Sequence, residues 1–187
     1  MEGKHIRDTF QVRNRRTVIA IYEWMSAVIV ALIAVVLVTT YMFRIVNVDG
    51  DSMYPTLQDG NRLLLTGFDK DYEKGDIVVV DRYTEEPLIK RVIGLPGDEI
   101  WIDKNYLYIN NQLQNEPYTV GYTVPRDFTE AQTVPEGYVF VLGDNRSVSK
   151  DSRVSEIGMV SVKDIVGKAV YCVWPPESFG EIYENLP

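Results

Sequence analysis

Residues 24–43, WMSAVIVALIAVVLVTTYMF, form a run of 20 residues without a formal charge, and this run decides how the chain is organised. Glu23 and Arg44 bound it on either side. At a helical rise of about 1.5 Å per residue, 20 residues cover about 30 Å, which matches the hydrocarbon core of a bilayer. A buried helix of a soluble domain is the alternative, but such helices are usually shorter and carry a polar face. The run therefore predicts one transmembrane α-helix over residues 24–43.

The charges on either side of the span predict its orientation. Five basic residues precede it: Lys4, Arg7, Arg13, Arg15 and Arg16. The chain beyond residue 43 carries 24 acidic and 14 basic residues. Because basic residues favour the cytoplasmic side, we expect a cytoplasmic basic tail over residues 1–23 and an exported domain over residues 44–187. A cleaved secretory signal is the alternative, but the span ends in TTYMFRIVNV, which contains no small-residue cleavage site.

Downstream of the span, short β-rich runs alternate with turn signals. The runs are RIVNV, NRLLLTGF, DIVVVDRY, PLIKRVIGL, EIWID, YLYINNQ, GYVFVLG, MVSV and DIVGKAVYCVW. Five prolines fall between the runs, where a missing N–H is tolerated: Pro55, Pro87, Pro96, Pro125 and Pro135. Many short strands separated by Gly and Pro are typical of a β-barrel or β-sandwich. We therefore predict a mostly β exported domain behind one transmembrane helix.

One part of the exported domain does not fit this pattern. About residues 105–136 are predicted as an insertion into the main sheet, and from residue 111 onward they are polar with no convincing period. A small inserted β subdomain and a mobile loop both fit such a composition.

The composition excludes several kinds of function. With Cys172 as the one cysteine and His5 as the one histidine, an intramolecular disulfide and the usual zinc sites are excluded, so no metal or cofactor is predicted. The formal net charge of −8 also argues against nucleic acid as a partner, because phosphate binding relies on clustered Lys and Arg.

The position of His5 restricts catalysis further. If the N-terminus is cytoplasmic, no exported nucleophile can use this histidine as its base, and a serine would need a lysine whose pKa is depressed. Lys90 occupies the middle of the apolar run LIKRVIGLPGD, where alternation would point one of Lys90 and Arg91 toward the core and the other away. The alternative is an edge-strand lysine that blunts aggregation.

Two polar segments carry candidate partners for this lysine. In NVDGDSMYPTLQDGN, residues 47–61, turns place Ser52 on a tight loop whose N–H is free to face an oxyanion, although an ST-turn or a cap is also compatible. Ser52 is eight positions beyond Arg44, so even an extended chain keeps Ser52 within about 26 Å of the membrane surface. In GDNRSVSKDSR, residues 143–153, two Asp-x-Arg spacings predict pairing of Asp with Arg, and a solvated turn is the alternative.

Taken in order, SMYPTL, KRVIGLPGD and GDNRSVSKDSR resemble the motifs of the type I signal peptidases. The single span and short exported domain look like the Gram-positive bacterial members, although organellar relatives share the motifs. The resemblance covers most of residues 46–173. It implies a single-pass serine endopeptidase of the bacterial cell membrane that removes signal peptides from exported precursors after an Ala-x-Ala site. Its expected partners are those precursors and the lipid bilayer.

The resemblance also implies roles for individual residues. Ser52 is the expected nucleophile, Lys90 the general base and Ser149 the serine that orients the lysine amine. Gly50 and Met53 match positions at the oxyanion hole and the substrate groove. The residues matching those that hold the site in shape are Asp144, Arg146, Asp151 and Arg153.

The chain departs from the family pattern at three places. Gly50 stands where some members have a serine that contributes to the oxyanion hole, so this hole is expected to rely on the Ser52 N–H. Val148 replaces a common asparagine, and four residues instead of two separate Arg153 from Gly158.

Three other classes of protein compete with this interpretation. A membrane-tethered binding or assembly domain would use Ser52 and Lys90 only structurally. Self-cleaving repressors with a Ser/Lys pair carry a DNA-binding domain, and no helix-turn-helix pattern precedes residue 44. Signal peptidases of the endoplasmic reticulum type would need a histidine where this chain has Lys90.

Overall fold

A computed structural model gives the architecture of the chain. It describes residues 2–67, 71–81 and 86–182, and within the N-terminal helix it describes side chains only for residues 18–37 and 40. His5 and the five basic side chains that precede the predicted span therefore lie outside the described side chains.

The N-terminal helix α1 (Glu2–Met42) forms one compact unit, and Phe43–Pro187 forms the other. Within α1, Val18–Leu37 has a mean hydropathy of 2.3 and none of it is buried. It is the one helix among the described residues that is long and apolar enough to cross a membrane. This segment overlaps the predicted span and begins earlier, because residues 18–22 are also uncharged.

The second unit is mostly β, as predicted. Its strands are β1 (Phe43–Asn47), β2 (Arg62–Thr66), β3 (Ile77–Val80), β4 (Leu88–Gly94), β5 (Glu99–Asp103), β6 (Tyr106–Ile109), β7 (Gln112–Leu113), β8 (Gln132–Thr133), β9 (Tyr138–Leu142), β10 (Val160–Ser161), β11 (Ile165–Trp174) and β12 (Gly180–Glu181). An eight-stranded antiparallel sheet has the order β1-β2-β11-β3-β4-β9-β10, with β12 paired to β11. A second sheet has the order β7-β6-β5-β8.

Each of the nine predicted runs contains a strand. Three two-residue strands were not predicted as strands of their own: β8 and β12 lie in none of the predicted runs, and β7 shares only Gln112 with one. Phe68, Arg82 and Tyr83, which end two of the predicted runs, lie outside the described residues.

Alternation along β3 explains why the large sheet is buried on both faces. Ile77 and Val79 belong to one apolar cluster with Leu63 and Leu65 of β2. Val78 and Val80 belong to another cluster, which includes Val141 of β9 along with other apolar residues. Since successive side chains of a strand point to opposite faces, a run of β-branched residues buries both. Strand β4, which pairs with β3, therefore runs through the interior of the domain.

The smaller sheet is the inserted element, and it lies between β4 and β9 in the chain. It begins at Glu99, earlier than the predicted start near residue 105, and its apolar side chains pack against Phe140 of β9. Gly94 allows the close approach at this point, because a Cβ there would lie 2.6 Å from the Ile100 side chain. Residues 114–131 contain no strand, so the insertion consists of a small β-sheet and an irregular segment.

Loss of packing at the first apolar cluster should destabilise the β unit. Leu65 is 1% exposed, so Leu65→Ala is expected to lower the free energy of unfolding by about 2–5 kcal/mol. Leu113→Ala removes the same atoms from a side chain that is 57% exposed and should cost less than about 0.5 kcal/mol. Urea unfolding of the full chain in detergent micelles, followed by near-ultraviolet circular dichroism, measures both. Equal losses would contradict the assignment of this core.

Candidate active site

Ser52 lies in the loop that joins β1 to β2. Gly50 and Gly60 adopt φ values of +79° and +80°, which let this loop turn tightly. The Ser52 carbonyl accepts a hydrogen bond from the Asn145 N–H at 3.0 Å, whereas the Ser52 N–H has no acceptor among the described residues. The serine is thus held through its carbonyl while its own N–H stays available to a ligand.

Lys90 is the third residue of β4 and reaches Ser52. Its Nζ donates to Ser52 Oγ at 2.9 Å and to the Ile89 carbonyl at 2.7 Å. The side chain is 2% exposed, and β4 pairs with β3 on one side and β9 on the other. The alternative of an edge-strand lysine is therefore wrong, because β4 is an interior strand.

The environment of Lys90 makes its amine unusually easy to deprotonate. Burial removes water from the ammonium and lowers the pKa of Lys90 from 10.5 to about 8, against the charges of Asp151 and Asp144, which raise it. A lysine with this pKa is partly neutral near physiological pH, as a general base must be.

Arg91, the neighbour of Lys90, is also buried, with 1% exposed. Its guanidinium binds both carboxylate oxygens of Asp144, at 2.9 and 2.6 Å, and lies 4.1 Å from the centre of the Tyr118 ring. The expectation that one of Lys90 and Arg91 points away from the core is therefore wrong. As alternation predicts, the two side chains have different partners, Ser52 for Lys90 and Asp144 for Arg91. Arg91 is nevertheless buried, because the inserted segment that carries Tyr118 covers it.

One predicted ion pair of the third motif is confirmed. Arg153 Nε donates to Asp151 Oδ1 and its Nη2 donates to Asp151 Oδ2, both at 2.8 Å, and the two side chains are fully buried. Burial acts to raise the pKa of Asp151, but Arg153 and the N–H of Gly143 outweigh it and hold the pKa below its usual value. Asp151 is therefore ionised near neutral pH, and its charge acts on Lys90.

The other predicted pair is wrong. Asp144 pairs with Arg91 as described, and Arg146 instead binds the Glu116 carboxylate at 2.6 and 2.9 Å and Thr123 Oγ1 at 2.7 Å. Asp144 and Arg146 are close in sequence, but the turn between them directs their side chains to different elements. All four scaffold residues are nevertheless buried, so the alternative of a solvated turn is wrong.

Ser149 makes no hydrogen bond to Lys90 of the kind that the resemblance implied. Its Oγ is buried and makes no hydrogen bond within the described residues, although it lies near enough to the Asp151 carboxylate to help lower the pKa of that group. The Lys90 amine is oriented by the Ile89 carbonyl instead.

Gly143 is a site residue that sequence reasoning missed. A Cβ at this position would lie 2.2 Å from Ser149 Oγ and 2.5 Å from the Ser52 carbonyl oxygen. Only glycine therefore lets the third motif approach the Ser52 loop this closely. The available signal was its position between the strand YVFVL and the polar cluster.

An open groove of about 420 Å³ runs past Ser52 and Lys90. Its remaining lining residues come from three segments: Val46, Asn47, Val48 and Asp49; Glu86, Pro87, Leu88 and Ile89; and Val148 and Lys150. Val148, the departure from the common asparagine, is thus part of the groove wall.

Two residues expected at the groove are not among those that line it. Met53 is 1% exposed and packs in the core cluster with Leu57 and Leu63, beneath the Ser52 loop. The Gly50 N–H donates to the Asp59 carboxylate at 2.9 Å and so closes the loop instead of facing an oxyanion. No group of three or more His, Cys, Asp or Glu that would hold a metal occurs in the described ranges.

A loop serine bound to a buried lysine of lowered pKa, at an open groove on a mostly β domain, is the arrangement of a Ser/Lys hydrolase. Residues 21–174 match the family model described as "Signal peptidase, peptidase S26". The chain belongs to this family, and the resemblance stated from the sequence is confirmed.

Two bacterial relatives agree with this assignment over most of their length. A signal peptidase I of Bacillus licheniformis is 36% identical over 176 residues, which are 87% of this chain and 92% of the relative. A signal peptidase IB of Staphylococcus aureus strain COL is 34% identical over 186 residues, which are 89% and 94% of the two chains. A crystal structure of a signal peptidase I from Enterococcus faecalis V583 is 31% identical, covers 52% of this chain and 96% of that chain, and has a TM-score of 0.42.

Breaking the buried pair of Arg91 and Asp144 should cost far more than breaking an exposed one. Arg91→Ala leaves the Asp144 carboxylate buried without its cation, and we expect a loss of about 3–5 kcal/mol in unfolding free energy. Lys150→Ala removes an exposed ion pair with Glu156, in which the charged atoms are 3.7 Å apart. This change should alter the free energy of unfolding by less than about 1 kcal/mol.

A third variant tests the cause of this loss. The double change Arg91→Met with Asp144→Leu removes both charges, so it should lose less stability than Arg91→Ala. Chemical denaturation in micelles compares the three, and a double variant less stable than the single one would refute the explanation by an unpaired charge.

Proposed function

We propose that this chain is a membrane-bound serine endopeptidase that cleaves N-terminal signal peptides from exported precursors, with Ser52 as nucleophile and Lys90 as general base. The family supports the activity. The observation that carries the assignment of residues is the 2.9 Å contact between Lys90 Nζ and Ser52 Oγ, made by a lysine with a pKa near 8.

The proposed reaction is acyl transfer in two steps. The neutral Lys90 amine takes the Ser52 proton as Oγ attacks the scissile carbonyl, and the resulting ammonium then protonates the departing amine. The same amine next removes a proton from water as the water attacks the ester carbonyl, and the ammonium returns that proton to Ser52 Oγ as the acyl bond breaks. The hydrogen bond to the Ile89 carbonyl holds Nζ in place for the first step.

The negative charge that develops on the carbonyl oxygen needs hydrogen-bond donors. The Ser52 N–H, which has no acceptor within the described residues, is the proposed donor. The Gly50 N–H is occupied by Asp59 and is not proposed for this role.

The groove beside the dyad is the proposed binding site for the precursor. Its apolar lining includes Val48, Leu88 and Ile89, which suits an extended peptide with small residues near the scissile bond. We propose an Ala-x-Ala preference, in keeping with the family. The Ser149 hydroxyl is proposed to orient the Lys90 amine at a later step, when the amine leaves Ser52.

The proposed location is the bacterial cell membrane, which the chain crosses once. The apolar helix segment Val18–Leu37 supports the anchor. We propose that residues 1–23 are cytoplasmic, that residues 24–43 span the bilayer and that residues 44–187 are exported. The basic residues before the span support this orientation.

Removing either member of the dyad should abolish cleavage. Ser52→Ala removes the nucleophile and Lys90→Ala removes the base, so each should lower kcat for a precursor with an Ala-x-Ala site by about 10⁴-fold or more. Ser147→Ala and Lys163→Ala, which change exposed residues, serve as matched controls and should retain the wild-type rate. Gel analysis of precursor processing in micelles measures all four.

Two outcomes would contradict the proposal in different ways. Processing at the wild-type rate by Ser52→Ala or Lys90→Ala would exclude this dyad. Tight binding of the precursor by the wild type without any cleavage would favour the tethered binding domain instead.

The dyad also predicts the pH dependence of the rate. Because the base must be unprotonated, kcat/KM should rise tenfold per pH unit up to about pH 8, the pKa of Lys90, and level off above it. A lysine without this burial would place the limb near pH 10.4. Steady-state rates from pH 6 to 10 measure the limb, with Lys163→Ala as control. An acid limb retained in the residual activity of Lys90→Ala would assign it to another group.

A further inference from the structure

The irregular part of the insertion is tied to the dyad by three contacts, made at every second residue of one short segment. We call residues 116–120, EPYTV, the clamp segment. None of the motifs that define the family includes it, and its composition predicted nothing more than an insertion or a loop.

The first contact joins the clamp segment to the third motif. Glu116 accepts hydrogen bonds from both terminal nitrogens of Arg146, at 2.6 and 2.9 Å. The Tyr118 hydroxyl donates to the same carboxylate at 2.9 Å. Glu116 therefore fixes Arg146 and Tyr118 relative to one another.

The second contact reaches the strand of the general base. The Tyr118 ring stacks on the Arg91 guanidinium at 4.1 Å, and Arg91 follows Lys90 directly on β4. The same guanidinium binds Asp144, one of the two carboxylates whose charge acts on Lys90. Tyr118 thus covers the guanidinium of Arg91, which is the ion-pair partner of the Asp144 carboxylate.

The third contact leads to the nucleophile through the backbone. The Val120 N–H donates to the Asp144 carbonyl at 2.9 Å, and the Arg146 N–H donates to the Val120 carbonyl at 2.8 Å. Asn145 lies between Asp144 and Arg146, and its N–H donates to the Ser52 carbonyl at 3.0 Å. Two layers of hydrogen bonds therefore connect the clamp segment to Ser52.

We propose, on the basis of the proposed function, that the clamp segment positions the catalytic dyad, with Tyr118 and Glu116 as positioning residues that act through Arg91 and Arg146. The segment holds the third motif against the Ser52 loop and excludes water from the pair of Arg91 and Asp144. It touches neither Ser52 nor Lys90 and belongs to the site through the residues it holds.

Loosening the clamp segment should make Lys90 harder to deprotonate. Water admitted beside Arg91 weakens the desolvation of the amine, and an Asp144 carboxylate less tightly paired attracts the ammonium more strongly. Asp151 and Asp144 are the charges that act on Lys90, and Asp49, Glu86 and Lys150 line the same groove. None of these five residues lies in the clamp segment.

The test compares substitutions at two tyrosines of the insertion. Tyr118→Ala removes the ring that stacks on Arg91, whereas Tyr122→Ala changes a side chain that is 74% exposed and serves as the matched control. We expect Tyr118→Ala to lower kcat on the order of 10²-fold with KM nearly unchanged, because a displacement of about 1 Å costs that much. Tyr118→Phe keeps the ring and should recover most of kcat.

A second measurement does not depend on cleavage. Competitive acetylation of Lys90 across a pH series, read by mass spectrometry of the full chain in micelles, gives the titration midpoint of its amine. Tyr118→Ala should raise this midpoint by about one pH unit, and Tyr118→Phe and Tyr122→Ala should leave it unchanged. If Tyr118→Ala does not fold, Glu116→Gln replaces it and should raise the midpoint by a smaller amount.

The outcomes separate this proposal from the proposed function. A midpoint and a kcat in Tyr118→Ala equal to those of Tyr122→Ala would overturn the positioning role, as would a Tyr118→Phe variant as impaired as Tyr118→Ala. If Tyr118→Ala raises the titration midpoint of the Lys90 amine but the wild-type chain cleaves no precursor, the positioning role is supported and the peptidase function is rejected.

Discussion

A lysine amine that must lose its proton easily inside the fold is the constraint on which the rest of the site depends. Burial lowers the pKa of Lys90 to about 8, but two carboxylates nearby favour the charged form. Each of these carboxylates is paired with a buried arginine, Asp144 with Arg91 and Asp151 with Arg153. A carboxylate paired with an arginine attracts the ammonium less than an unpaired one would, and desolvation prevails over the two carboxylate charges.

This arrangement explains why so many charged side chains are buried in a small β domain. Isolated buried charges are strongly unfavourable, and a buried pair gains little net stability over apolar packing. What the pairs contribute is a fixed geometry, because a bidentate arginine holds its carboxylate in one orientation. In this chain the carboxylates belong to the third motif, and the same motif holds the Ser52 carbonyl through Asn145.

The local parts of this structure could be predicted from the sequence, and the long-range parts could not. Short β-rich runs between turn signals located nine strands, and a separation of two residues sufficed for the pair of Asp151 and Arg153. The partners of Asp144 and Arg146 lie 53 and 30 residues away, in a strand and in an aperiodic insertion, where no local pattern indicates contact. Alternation along a strand likewise predicts that one face is exposed, and it does not indicate whether another element covers that face. The burial of Arg91 beneath the inserted segment was missed for this reason.

The base therefore imposes a cost on the fold that the rest of the fold must offset. In the unfolded chain Lys90 binds a proton up to its ordinary pKa of 10.5, whereas the folded chain releases it near 8, so stability rises with pH between these values. Below pH 8 the penalty is constant at about 3 kcal/mol. An apolar residue at position 90 would avoid this penalty. The two apolar clusters packed on either face of β3, next to β4, contribute the stability that offsets it. A lysine retained in an interior strand at this cost is thus better explained by its chemistry than by its contribution to stability.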